Sequence, residues 1–313
     1  MKKILIIGPP SLGYLEKINQ HLEVIPSVKS HIILIDKFTF KYKNKWQRIK
    51  NMFSKLFFNT NIKVEFLNRT ILNQIHTLGS QDLVFIIRPD LLKVETLKTI
   101  KLQTQQMVAF FYDSIRRFPE KANIISLFDK VYSYDKIDVK KYDLSFLTNY
   151  IYDESDTKDY ETLFFNISTY DYRFYQMENL ARYIDEHSWR KEILILAPSD
   201  IKSQYVTIIN SQIKIDDVTH KIKKSKIIVE IQRSEQIGLS FRVFEALGHR
   251  KKLITTNRDI INYDFYHPQN ILVIDIDDIS ISESFVNTPY VDIEDKILNK
   301  YRLKNWIKPI FLN

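Results

Sequence analysis

Short continuous apolar runs alternate along this chain with stretches in which apolar residues recur every three or four positions. In the first half, the runs at 3–7, 31–35, 82–87, 107–112, 130–134 and 144–146 read as strands buried on both faces, and 64–66 as one more short strand. Between them, 14–22 sets Leu15, Ile18 and Leu22 on one helical stripe, and 70–78 and 91–105 repeat the helical spacing. The pattern pauses at 152–160, YDESDTKDY, which is acidic and almost without aliphatic residues. It then restarts with strands at 163–167, 192–196, 226–231, 252–256 and 271–274, and helices at 173–187, 216–224, 241–247, 259–263 and roughly 293–306. Residues 206–210 fit either pattern. Strands alternating with helices in this way build parallel sheets covered by helices. The expected fold class is therefore α/β, two Rossmann-like domains with parallel sheets, joined by a linker near 152–161.

The richest stretch is 226–257, KIIVEIQRSEQIGLSFRVFEALGHRKKLITTN, which reads as strand, polar turn, helix, strand. Ser240 can cap the helix and Gly248 can end it. Val243, Phe244 and Leu247 point toward a core, while Arg242, Glu245 and His249 share another stripe. Asn257 falls at the tip of the following strand. Ligands of open parallel sheets bind outside the carboxyl ends of the strands, where helix N-termini also point, so Arg242, Glu245 and Asn257 are expected beside such a crevice. At the chain start, Gly8, Ser11 and Gly13 occupy the turn after the first strand, without the spacing of a dinucleotide fingerprint, and are read as a cleft loop.

Composition narrows the function classes. At 44% hydrophobic and 27% charged residues, the 313-residue chain is globular and long enough for two cores. It has no cysteine, which excludes disulfides and thiolate metal sites. The seven histidines are scattered, and Asp275, Asp277 and Asp278 read as a solvated turn, so no metal is expected. The apolar run at 4–7 is too short for a secretory signal, and no run approaches a membrane span; a cytoplasmic location is expected. Charge divides unevenly: residues 1–150 carry a net +11 and residues 151–313 a net −3. Residues 37–58 hold seven basic residues and no acid, with aromatic and aliphatic side chains at helical spacing. Lys45, Trp46, Arg48, Lys50, Phe53 and Lys55 are accordingly candidates for contact with an anionic membrane surface or an acceptor.

The segment SEQIGLSFRVFEALGHRKKLITTN, 234–257, followed by INYDFY, resembles the donor half of GT-B glycosyltransferases, in particular bacterial enzymes of lipopolysaccharide and capsular polysaccharide assembly. The close match covers about 35 residues; elsewhere the likeness is one of architecture. The resemblance implies an N-terminal acceptor-side domain (1–155), a C-terminal nucleotide-sugar donor domain (156–295) and a closing helix (296–313) that returns to the N-terminal domain. It implies that Glu245 hydrogen-bonds the ribose hydroxyls, that Arg242 neutralises diphosphate oxygens, that Gly238 lets the backbone approach the donor, and that Gln236 or Ser240 contacts sugar or phosphate. The retaining members of the fold carry a second acid where this chain has Ile237, so retention or inversion stays open. An inverting reaction needs a base on the acceptor side, for which Asp113, at a strand end, and then Asp90 are the candidates. The expected activity is transfer of a sugar from a nucleotide-sugar to a glycan or glycolipid acceptor by a peripheral protein at the inner face of the membrane, with no tightly bound cofactor. The alternatives are a nucleic-acid-binding protein, disfavoured because no binding module accompanies the charge, and a non-catalytic assembly partner of the same fold.

Overall fold

The computed structural model describes residues 1–10, 13–58 and 60–312. The chain divides into two compact units: Met1–Ser133, Ile137–Leu147 and Ile310–Asn313 form unit 1, and Tyr134–Lys136 with Thr148–Pro309 form unit 2. Unit 1 is built on β1 (Lys2–Gly8), β2 (Val28–Leu34), β3 (Gln81–Ile87), β4 (Thr104–Phe111), β5 (Lys130–Ser133) and β6 (Ser145–Phe146), all parallel, in the order β2-β1-β3-β4-β5-β6. Its helices are α1 (Tyr14–Glu23), α2 (Lys45–Phe58), α3 (Ile62–Leu78), α4 (Val94–Leu102) and α5 (Lys136–Tyr142). The apolar runs are continuous because the central strands are covered on both faces: Ile4 to Ile7 and Leu83 to Ile86 are all buried.

Unit 2 repeats the plan with β7 (Thr162–Thr169), β8 (Lys191–Leu196), β9 (Thr207–Ile209), β10 (Ser225–Glu230), β11 (Lys252–Thr255) and β12 (Ile271–Val273), again all parallel. Its helices are α6 (Phe174–Glu186), α7 (Ile215–Lys223), α8 (Phe241–Gly248), α9 (Glu283–Asn287), α10 (Asp295–Tyr301) and α11 (Leu303–Trp306). The strand order is β12-β11-β10-β7-β8-β9. The chain therefore builds outward from β7 through β8 to β9, then crosses back and builds the other way from β10.

Four expectations are corrected. Residues 64–66 are helical, not a strand: Asn61 caps α3 by accepting from the Lys63 amide at 3.1 Å, and Leu67, Ile71 and Ile75 carry its apolar stripe into the core. The helix expected at 91–105 is only Val94–Leu102, because Pro89–Leu91 forms a 3-10 turn and Thr104 already belongs to β4. The acidic stretch 152–160 belongs to unit 2 and the division falls at Leu147/Thr148 instead of 155. Its acids are matched one by one: Asp153 to Lys223, Glu154 to Arg302, Asp156 to Arg250 and Asp159 to Lys224. Gly248 permits this docking, since a Cβ there would lie 2.4 Å from the Asp153 carbonyl oxygen. Lastly, the closing helix is two pieces, α10 and α11, broken at Arg302, where the Ile151 backbone inserts. The Ile151 amide donates to Tyr301 O at 2.8 Å, and Leu303 N donates to Ile151 O at 2.9 Å. Both pieces lie in unit 2, with the Trp306 indole donating to Thr148 O; only Ile310–Asn313 joins unit 1, where Phe311 packs on Phe85.

Candidate functional site

The reversal of strand order in unit 2 leaves β7 and β10 adjacent, with their carboxyl ends diverging into different connections. A parallel sheet opens a crevice at such a switch point. A cavity of ≈ 200 Å³ lies there, lined by Asn166 and Ser168 of β7, Glu230 at the end of β10, and Arg173, Arg233 and Arg242. Arg173 and Ser240 are the N-cap residues of α6 and α8, and neither side chain caps its helix. Two helix N-termini and three guanidiniums thus converge on one cavity, an arrangement that favours a bound anion.

Two of the guanidiniums, Arg173 and Arg233, share the carboxylate of Asp171, which also lines the cavity. Arg173 forks onto Asp171, Nε to Oδ1 at 3.0 Å and Nη2 to Oδ2 at 2.8 Å, and its other Nη donates to Ile231 O at 2.5 Å. Arg233 pairs with the same carboxylate. Desolvation pushes the Asp171 pKa up, but the Arg173 hydrogen bonds and the nearby Arg233 charge outweigh it and hold the carboxyl below its ordinary range. Glu230 shows the reverse balance: burial raises its pKa despite the Thr255 and Ser240 hydroxyls and the Arg173 and Arg242 charges.

Arg242 links this cavity to Glu245, which is 2% exposed. One Glu245 oxygen accepts from the Tyr152 hydroxyl at 2.8 Å and the other from Arg242. Glu245 itself does not line the cavity, and both of its oxygens are engaged within unit 2. The pair is thus a buried one, and not the surface ion pair that the three-residue spacing alone would allow.

The loop between β10 and α8 is pinned along its length. The Gln232 side chain donates through Nε2 to Gln236 O at 3.1 Å and Gly238 O at 2.9 Å, Asn257 Nδ2 donates to Ile237 O at 3.0 Å, and Asn149 Nδ2 donates to Leu239 O at 2.9 Å, while the Asp135 carboxylate accepts from the Ile237 backbone amide at 2.9 Å. Asn257 also caps the 3-10 turn Arg258–Asn262 by accepting from the Asp259 amide. Gly238 has a packing reason to be glycine: a Cβ there would meet the Tyr134 ring at 2.5 Å. The Gln236 side-chain oxygen, Oε1, is buried and has no hydrogen-bond partner among the described residues. His249 is buried against Ser155 at 2.9 Å, and burial lowers its pKa to about 4.

In unit 1, a Cβ on Gly8 would lie 2.7 Å from the Leu15 Cδ1 and press tightly on Ile87 at 3.2 Å, and Gly13 is left-handed at φ 95°; Ser11 lies outside the described residues. Asp90 is gripped by Arg88, itself stacked 3.9 Å over Phe118. Asp113 is buried and paired with Arg117, and its backbone oxygen accepts from Lys121, whose ammonium desolvation lowers to a pKa of about 8. On α2, the buried residue is the polar Asn51, which bonds the Tyr42 hydroxyl and accepts from the Ile62 amide. Trp46, Leu56 and Phe58 are 78%, 76% and 75% exposed, and Met52, Phe53 and Phe57 are exposed beside them.

Sequence reasoning found Arg242 and Ser240 at the cavity but missed Arg173, Arg233, Asp171 and Glu230. A signal was available for the first and last of these, since Arg173 opens a predicted helix and Glu230 ends a predicted strand.

No protein-family model matches the chain, and neither does any curated protein sequence. Among solved structures it is similar to the N-terminal domain of Candida albicans trehalose-6-phosphate phosphatase, at 10% identity and TM-score 0.57 over 99% of this chain and 95% of that one. It is similar at 9% identity and TM-score 0.57 to an α-glucosyltransferase solved with UDP and a 13-mer DNA, over 88% and 86%. It is also similar to a UDP-forming α,α-trehalose-phosphate synthase from Burkholderia vietnamiensis, at 9% identity and TM-score 0.50 over 97% and 95%. These likenesses establish the fold. The chain has a GT-B glycosyltransferase-like fold, two α/β units each built on a six-stranded parallel sheet.

Proposed function

We propose that the protein is a glycosyltransferase that takes a sugar from a nucleotide-sugar donor held at the carboxyl ends of β7 and β10. The observation that carries this reading is the convergence of Arg173, Arg233 and Arg242 with the starts of α6 and α8 on one cavity, which suits a diphosphate. The matched synthase is UDP-forming and the matched glucosyltransferase was solved with UDP, so UDP is the first nucleotide to try. Arg242 would bind the diphosphate, and Glu245 would accept from the ribose once Tyr152 or Arg242 releases an oxygen. Ser240, Gln236, Gly238 and Asn257 would shape the donor loop, with the contacts described above holding it in place. Asp113, and then Asp90, are proposed as the acceptor base.

The acceptor we propose is a lipid-linked or surface glycan, of the lipopolysaccharide or capsule kind, met at the cytoplasmic face of a membrane. α2 supports this reading, because it buries an asparagine and turns its aromatics and its Lys45, Arg48, Lys50 and Lys55 charges outward, as an interfacial helix does. No helix among the described residues is long and apolar enough to cross a membrane. The same basic face carries the second reading, a nucleic-acid partner, which steep salt-dependent binding to DNA or RNA would reveal.

Thermal shift with UDP tests the donor site. At a hundredfold excess over Kd, binding stabilises the fold by about 2.7 kcal/mol. A clear rise in Tm that Arg233→Gln removes is expected; no shift with UDP or any other nucleoside diphosphate overturns the reading.

A further inference from the structure

The opposite end of the same strands, at the amino ends of β10 and β11, holds a second basic cavity. Lys226 stands at the start of β10 and Lys252 at the start of β11, and Ile227 pairs with Lys252 in the register. Glu230 and Thr255 pair at the other end, so the two cavities are separated by about 13 Å of strand. The second cavity has a volume of ≈ 280 Å³ and is lined by Lys158, Lys226, Lys252 and Arg250, with Tyr160 and Tyr290 as aromatic walls.

Its charges are unbalanced. Arg250 is satisfied by Asp156 at 2.8 Å and Asp292 at 3.5 Å. Among the described residues, Lys158, Lys226 and Lys252 form no ion pair. Lys252 donates to Phe285 O and to Thr288 Oγ1 at 2.8 Å, and Lys226 reaches Asn287 O at 3.4 Å. These partners sit at the carboxyl end of α9. They position the ammoniums, but four basic groups, Lys158, Lys226, Arg250 and Lys252, face two acids, Asp156 and Asp292, and a helix end adds only about half an elementary negative charge, so the lining stays net positive. Desolvation, then the Lys226 charge, lowers the Lys252 pKa to about 8, a cost that a bound anion would relieve. The Tyr290 hydroxyl is buried and has no hydrogen-bond partner among the described residues.

We propose that this cavity is a binding site for a small phosphorylated ligand, distinct from the switch-point cavity, with the phosphoryl group between Lys158, Lys226 and Lys252 and the Tyr290 hydroxyl. A charged phosphoryl matches the missing counter-charge, and Tyr160 and Tyr290 offer apolar faces for the remainder of a sugar- or metabolite-sized molecule. This inference does not rest on the donor-site reading.

Isothermal titration at fixed ionic strength, with inorganic phosphate in one arm and glucose 1-phosphate in the other, tests it. Binding in both arms is expected, at a Kd of about 1 mM or tighter. Lys158→Gln/Lys226→Gln should weaken it about tenfold or more, while Arg233→Gln, in the other cavity, leaves it intact. Both lysines are at least partly exposed, so the variant should keep its far-UV spectrum and fold. Tighter binding of the ester supports a phosphorylated metabolite, and equal binding supports free phosphate as the occupant. No heat in either arm at about 10 mM ligand, or binding that follows Arg233→Gln instead of the lysines, overturns the site.

Discussion

Replacing Arg242 with leucine isolates the buried pair on α8. The Glu245 side chain has no exposure and that of Arg242 only 11%, so the pair is desolvated from both sides. Removing the guanidinium takes the charged partner away from a buried carboxylate that also accepts from the neutral Tyr152 hydroxyl. Breaking a buried pair from one side costs about 3–5 kcal/mol, whereas an exposed pair at this spacing is worth a few tenths. Glu230, whose pKa burial already raises, also loses the Arg242 charge, which favours its protonated form. Removing both charges in Arg242→Leu/Glu245→Leu takes away the orphaned ion, and such replacements are often neutral within about 1 kcal/mol. Urea unfolding followed by circular dichroism measures the cycle, with midpoints compared at a constant m value. A single-variant cost below about 1 kcal/mol, or a double variant as unstable as the sum of the singles, would refute the buried-pair account.

Gly248→Ala forces a Cβ against the Asp153 carbonyl oxygen and should cost about 1–3 kcal/mol, read from the same unfolding curves; an unchanged midpoint would show that the 152–160 stretch is not docked as described. His249 has a folded pKa of about 4 against 6.5 unfolded, so between these values the unfolded state binds more protons. Stability should therefore fall as pH drops from 6.5 toward 4, and His249→Gln should flatten that slope in unfolding curves taken across the window. Exchanging Lys45, Arg48, Lys50 and Lys55 for glutamine should weaken co-sedimentation with anionic liposomes, at about 1 kcal/mol per charge, by two to three orders of magnitude. Equal sedimentation would remove α2 from any membrane role.

The strands were readable because a sheet covered on both faces needs unbroken apolar runs, and 3–7 and 82–87 have them. Arg242 and Glu245 were readable as neighbours because a helix brings positions three apart onto one stripe. What escaped depends on contacts distant in sequence. The α10–α11 break at Arg302 is made by Ile151, and nothing near Arg302 announces it. The 152–160 stretch looks like a linker until Lys223, Arg250 and Arg302 arrive from three other elements to neutralise it. Residues 64–66 are β-branched and aromatic enough to suggest a strand, and the Asn61 cap with the stripe through Ile75 overrides that preference. Arg173 and Arg233 meet at Asp171 only because β7 and β10 are adjacent, a fact of strand order that local spacing does not contain.

The central claim is that a nucleoside diphosphate binds where β7 and β10 part. A crystal structure of the protein grown with UDP tests it most directly. The diphosphate should lie within about 2.7–3.2 Å of guanidinium nitrogens from Arg173, Arg233 or Arg242, beside the starts of α6 and α8. UDP seated elsewhere, or a switch-point cavity still empty of it at saturating UDP, would contradict the account.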